Sequence, residues 1–211
     1  MQVQKTFGRR TRAILLHRGA LSLVALVAFC LPAAAEQVQV TLNPSDTKID
    51  IAVHDVHGGF HGSFKLKSGA ILFDRQTGAA SGEIIVDATS GETGNSTRDH
   101  KMHNEVLESP RYPEIVFLPK RVIGEVARQG TSNVQVEGIF RIHGADHELT
   151  VAMPVEINGD KVSATLNFAV PYDSWGMKNP SVLFLRVSGK ADVTISAMGK
   201  IAATNTNASN R

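Results

Sequence analysis

His100 and His103, with Asp99 beside them, are the first place in this chain where side chains could act together. On a helix, residues at i and i+3 share a face, so this pair would present two imidazoles to one zinc or copper ion. His143 and His147 flank a second short stretch, Gly144-Ala145-Asp146. Neither pattern has the H-E-x-x-H or Cys/His framework of a zinc site. Ordinary polar roles therefore compete with metal binding, here and at His54, His57 and His61. A metal-binding or metal-dependent stress protein using His100 and His103 is kept as the alternative reading.

Nucleophilic catalysis has less to work with. The one cysteine, Cys30, lies in an apolar leader. There is no G-x-S-x-G elbow, phosphate-cradling glycine loop, dinucleotide fingerprint or C-x-x-C-H haem attachment. The expectation is a protein that is not an enzyme. Charge excludes another class. Lys and Arg number 22 against 20 acids. Lys5, Arg9, Arg10, Arg12 and Arg18 all precede the first acid, and the remaining 17 of the 22 cations face all 20 anions. The basic excess belongs to the leader, and a nucleic-acid partner loses its support.

The leader has the three parts of a secretory signal. Met1 to Arg18 is basic, Gly19 to Leu31 is apolar, and Pro32-Ala33-Ala34-Ala35 supplies small residues for cleavage. Cleavage after Ala35 leaves Glu36 first, and the expected location is the periplasm or beyond. The apolar run is short for a membrane span, which needs about 20 residues. Arg9-Arg10 continues into Thr11-Arg12-Ala13, a poor twin-arginine signal, and Phe29 is too large for a lipobox before Cys30.

From Val38 onward the pattern that must position any site has a period of two. Val38/Val40/Leu42, Ile49/Ile51/Val53, Val151/Met153/Val155/Ile157, Val162/Ala164/Leu166/Phe168/Val170 and Val193/Ile195 alternate with polar or small residues. Such runs are strands with one dry and one wet face, usually antiparallel. Further candidates are Phe60–Leu66, Ala70–Phe73, Glu83–Ala88, Glu114–Leu118, Asn133–Ile142 and Ser181–Ser188. Turns are expected at Asn43–Asp46, Gly58-Gly59, Lys67–Gly69, Arg75–Gly78, His143–Asp146 and Asn158–Asp160, the last as a hairpin. Asn95 to Ser109 lacks alternation and reads as a short helix, capped by Asn95 or Ser96, with Met102, Val106 and Leu107 as its apolar edge. Gly199 to Arg211 reads as a polar tail. Periodicity leaves sandwich and barrel both open, and leaves a hollow or packed interior open too.

Several runs together resemble the YceI-like family. They are His54-Asp55-Val56-His57-Gly58-Gly59-Phe60-His61-Gly62-Ser63-Phe64 and Gly69-Ala70-Ile71-Leu72-Phe73-Asp74. The most specific is Ser90-Gly91-Glu92-Thr93-Gly94-Asn95 with Arg98-Asp99, followed by Tyr112-Pro113-Glu114-Ile115-Val116-Phe117. Gly138-Ile139-Phe140-Arg141-Ile142-His143-Gly144 matches a further strand. The resemblance runs from about residue 40 to about 195 and includes His54, Asp74, Arg98 and Asp99 as polar motif positions. Two departures are Arg141, where a small or β-branched residue is usual, and the polar end of Trp175-Gly176-Met177-Lys178-Asn179-Pro180.

The resemblance implies an all-β fold: an antiparallel, lipocalin-like β-barrel of about eight strands with a short helical insertion. It also implies a tunnel holding a polyisoprenoid, a quinone or a fatty-acid-like lipid, with no cofactor. The domain would span residues 36–198. Alternation then assigns the wall to Ile51, Val53, Phe64, Phe73, Ile115, Phe117, Met153, Val155, Leu166, Phe168, Leu183 and Leu185. Lys178 and Asn179 are the expected head-group contacts, and Arg98-Asp99 the expected pair tying the insertion to the barrel. The implied partner is a hydrophobic small molecule, with a second copy of the chain and transient contact with the inner membrane as further candidates. Burying a chain of about 20 carbons gains on the order of 15 kcal/mol gross, enough to offset a binding cost of about 4–15 kcal/mol.

Overall fold

A strand that buries every second side chain must find neighbours on both edges, and this chain satisfies all of them by closing on itself. A computed structural model describes residues 36–181 and 186–204. The leader and its cleavage point, Leu183, Leu185 and residues 205–211 lie outside the described residues. The strands are β1 (Gln37–Leu42), β2 (Lys48–Val53), β3 (Phe60–Asp74), β4 (Ala80–Glu92), β5 (Glu114–Ile123), β6 (Gly130–Ile142), β7 (Ala145–Asn158), β8 (Lys161–Val170) and β9 (Ala191–Thr204). From β3 onward each pairs antiparallel with its successor, and β9 closes against β1 and β2.

The nine segments fill eight positions in the ring. β1 pairs with residues 70–74 of β3 and 199–204 of β9, while β2 pairs with 60–64 and 192–196 of the same strands. They are one strand interrupted by Asn43–Thr47. That stretch is a turn, as expected, with Asp46 N and Thr47 N donating to the Asn43 carbonyl at 3.3 and 3.0 Å, but it joins two segments of one ladder and makes a jog in it. Asn43 organises it, its carboxamide accepting from Ser45 N at 3.2 Å and donating to Asp46 at 2.6 Å.

Lys67-Ser68-Gly69, by contrast, is no turn, because β3 runs straight through it with a register shift between Leu66 and Ser68. An extra residue in one strand flips the alternation. Phe60, Phe64 and Leu66 face inward before the shift, and Ile71 and Phe73 after it. β5 repeats the device at Pro119/Arg121, where a proline that donates no ladder bond is tolerated. Ile115 and Phe117 face inward before it and Val122 after it.

The β6–β7 connection is a two-residue hairpin at His143-Gly144, both at positive φ (52° and 75°), between the paired Ile142 and Ala145. The β7–β8 turn is Gly159-Asp160, between Asn158 and Lys161, with Gly159 at φ 65°. β9 continues through Thr204, so Gly199 to Thr204 belong to the barrel rather than to a tail. Of the expected strand Ser181–Ser188, residues 182–185 lie outside the described residues, and Val187 forms an isolated bridge to Asp55.

The insertion between β4 and β5 is α1 (Ser96–Lys101), capped by the Asn95 side chain accepting from Arg98 N. A π turn, Met102–Val106, follows. Outward positions of the barrel are wet, among them Glu148, Thr150, Glu156, Thr165 and Asn167. This is the reverse of the apolar-out pattern of a membrane-spanning barrel. Among the described residues no helix is long and apolar enough to cross a membrane.

Candidate functional site

Because the inward side chains are mostly Val, Ile, Leu and Ala, the ring is not filled. Two chambers lie end to end inside it. The deep one, about 190 Å³, lies toward the β3–β4 and β7–β8 turns. Apart from Thr47 and Ser163, its wall is aliphatic and phenyl, with the thioether of Met153. The mouth chamber, about 420 Å³, opens toward α1 and the loop after β8. Ile49, Val86, Ile115, Phe140, Phe168 and Ile195 belong to both walls and form a waist, with Phe140 and Phe168 edge to face at 5.9 Å. Taken together the chambers reach the range of about 300–1,000 Å³ usual for small-molecule sites.

The alternating residues fall on this wall. Ile51, Val53 and Phe64 line the mouth chamber; Phe73, Phe117, Met153, Val155 and Leu166 line the deep one; Ile115 and Phe168 stand at the waist. The same periodicity in β6 extends the wall through Val134, Val136 and Phe140, and in β7 through Leu149 and Val151. Met102, Val106 and Leu107 add the apolar edge of the insertion. They close over the barrel because Gly91 leaves room: a Cβ there would meet Phe64 and Met102 at 2.6 and 2.7 Å.

The polar residues divide differently from the expectation. Arg98 and Asp99 do not pair with each other. Asp99 accepts from Thr93 N (2.9 Å) and Oγ1 (2.6 Å), tying α1 to the end of β4. Arg98 lies on the mouth-chamber wall with its guanidinium 4.2 Å from the Phe60 ring centroid. Lys101, Asn95, Thr97 and Asp55 share that wall. Lys178 and Asn179, expected there, are committed elsewhere. Lys178 pairs with Glu105 at 2.6 Å, and Asn179 accepts from Ser181 and donates to the Val187 carbonyl. The wall takes Met177 and Pro180 from that segment instead.

The remaining motif residues have local work. Asp74 accepts from Gln76 N and Thr77 N, and these bonds hold its carboxyl below the usual range. His54 lies 3.3 Å from Asp192 and is largely exposed. Arg141 faces outward in a two-point pair with Asp146 (2.6 and 3.0 Å), so this departure from the family pattern leaves the interior untouched. His147 stacks on Trp175 at 3.9 Å.

The two histidines have separate surroundings. His103 Nε2 lies 2.8 Å from the Gly91 carbonyl, and Nδ1 lies 2.8 Å from Ser109 Oγ. Both nitrogens are used, and His100 is exposed. Among the described residues no three His, Cys, Asp or Glu side chains gather to hold a metal ion.

Tyr172 closes the mouth chamber from the β8 end and donates to the Ser188 carbonyl at 2.5 Å. Burial, with Asp173 nearby, pushes its phenol up to about 12. A folded-state value above the unfolded one means the neutral phenol stabilises the fold below about pH 10, and that contribution fades as pH rises through about 12. With Tyr112→Phe leaving Tyr172 the one tyrosine, its tyrosinate absorbance should be less than half developed at about pH 11. Full development there with the fold intact would refute the assignment.

Comparison with known proteins places this geometry. The model of the YceI-like domain matches residues 40–200. BcnA of Burkholderia cenocepacia shares the fold with a TM-score of 0.59 at 16% identity, covering 76% of this chain and 99% of that one. A polyisoprenoid binding domain from Saccharophagus degradans gives 0.60 at 12% identity, over 77% and 98%. The YCEI protein of Campylobacter jejuni gives 0.51 at 13%, over 90% and 98%. At these identities the likeness is one of fold. No curated protein matches the sequence. The family match, however, runs from β1 to β9 and takes in the jog, the register shifts and the helical insertion, and on that ground the chain belongs to the YceI-like family.

Proposed function

We propose that this protein is a non-catalytic carrier or store that holds one long-chain amphiphile, a polyisoprenoid, quinone or fatty-acid-like lipid, inside the barrel. The leader supports the periplasm as the place where it acts. The observation that carries the reading is the hydrocarbon wall of the deep chamber. A polar ligand there would give up its water and receive almost no hydrogen bond in return, whereas an alkyl chain gains from every methylene buried. A fold neighbour described as a polyisoprenoid binding domain points the same way. Organic extraction of purified protein followed by mass spectrometry tests it. About one lipid per chain is expected after expression in a lipid-replete host. Reproducibly lipid-free protein would refute the reading.

The head group of such a ligand would sit beside Arg98 and Lys101, neither of which forms an ion pair among the described residues. Arg98→Ala should weaken binding of a phosphate- or carboxylate-headed chain about fivefold, ~1 kcal/mol, and leave the matching alcohol unchanged. Equal losses for both would show that Arg98 serves packing on Phe60 instead.

A further inference from the structure

The end of the barrel away from α1 is crossed by a charged strap, and we propose that this strap is the chain-length stop of the tunnel, with Arg75 as its specificity-determining residue. The inference rests on the reading that the interior holds a hydrocarbon chain. The strap is the connection between β5 and β6, residues 124–129. Val126 presents its side chain to the wall of the deep chamber.

Three sets of bonds hold this connection in place. Arg75, in the β3–β4 turn, donates through Nη1 to the Val126 carbonyl and to the Ala127 carbonyl at 3.3 Å. Ala127 N donates to the buried Ser132 Oγ at 2.8 Å. Gln129 reaches the β7–β8 turn, accepting from Gly159 N at 3.0 Å. Glu36 completes the assembly. Its carboxylate lies 3.2 Å from Arg75 Nε and 2.5 Å from Arg128 Nη2, and its carbonyl accepts from Arg75 N at 3.1 Å.

Arg75 is what sets the strap apart. Its side chain is 14% exposed, against 58% for Lys67 and 63% for Lys178 in their own ion pairs. A guanidinium is taken from water at high cost and is retained where its charge and protons are used. Here the Nη1 protons go to two loop carbonyls, and the charge faces the Glu36 carboxylate. A hydrocarbon chain growing toward Val126 offers those groups nothing. To pass, it must break charge-assisted bonds, which cost more than one further methylene gains. The strap therefore ends the gain in affinity abruptly at one chain length.

Straight-chain alcohols of increasing length test this, with occupancy read by native mass spectrometry. For the wild type, affinity should rise about fourfold per carbon and then stop at a ceiling. Arg75→Met should move the ceiling to longer chains while leaving short-chain affinity within about twofold. Val126→Phe keeps the strap and fills the chamber end, so it should move the ceiling to shorter chains; it decides the matter if Arg75→Met does not fold. Wild-type binding with the ceiling unmoved in the folded variants overturns this proposal alone. Wild-type protein that takes up no alcohol of any length overturns the binding reading and this one with it.

Discussion

Ala164→Phe should empty the barrel of its lipid without unfolding it. Ala164 on β8 pairs directly with Ala197 on β9, and both face the deep chamber. A phenyl ring added at this point occupies space that the chain would otherwise fill. Excluding about five methylenes forfeits ~4 kcal/mol, close to a thousandfold in affinity. The effect on the fold runs the other way. Filling a void restores dispersion contacts to its lining, so stability should hold or rise within ~1 kcal/mol. The check is lipid per chain by extraction and mass spectrometry, together with the thermal unfolding midpoint. A variant that is stable and still carries a full complement of lipid would show that the deep chamber is not where the chain lies.

His103→Ala should lower stability by ~3 kcal/mol, whereas His100→Ala should change it by less than ~0.5 kcal/mol. The Gly91 carbonyl can only accept, so His103 Nε2 carries the proton and donates, and Nδ1 accepts from the Ser109 hydroxyl. Ser109 is 2% exposed, and its own N donates to the His103 carbonyl at 2.9 Å. Truncation leaves the Ser109 hydroxyl and the Gly91 carbonyl without their partner, each at a cost of about 1–3 kcal/mol where water does not reach. It also cuts a tie between β4 and the π turn whose Met102 and Val106 line the mouth chamber. Denaturant midpoints at neutral pH measure both variants. Equal effects at the two positions would refute the distinction. Heat on zinc titration that is lost with His100→Ala would bring back the metal reading.

The contrast between these histidines shows where sequence reasoning stops. Their i, i+3 spacing was legible, and so was the helix that holds them. What His103 does depends on Gly91, in a strand that precedes the helix, and spacing within the helix carries no trace of that contact. Lys178 behaves the same way. Its position at the polar end of the Trp175–Pro180 segment suggested the mouth, and Glu105 on the π turn claims it. Arg98 and Asp99 are adjacent in the chain, yet one packs on Phe60 and the other on Thr93.

The inward face of most strands was determined by the sequence alone, because alternation is a property of one strand's own covalent geometry and needs no neighbour. So were the hairpins at His143-Gly144 and Asn158–Asp160, whose residues suit tight turns, and the short helix capped by Asn95. The tertiary structure decided the rest. Lys67–Gly69 carries turn-forming residues, but pairing with β4 draws it into a bulged strand; Asn43–Asp46 does turn, yet pairing with β3 and β9 on both sides makes that turn a jog within one ladder. Closure of β9 on β1 and β2, the two chambers and the Arg75 strap likewise arise only when segments far apart in sequence meet. Local patterns record which way a side chain faces; what it faces is settled by long-range pairing and by how much space the closed ring leaves.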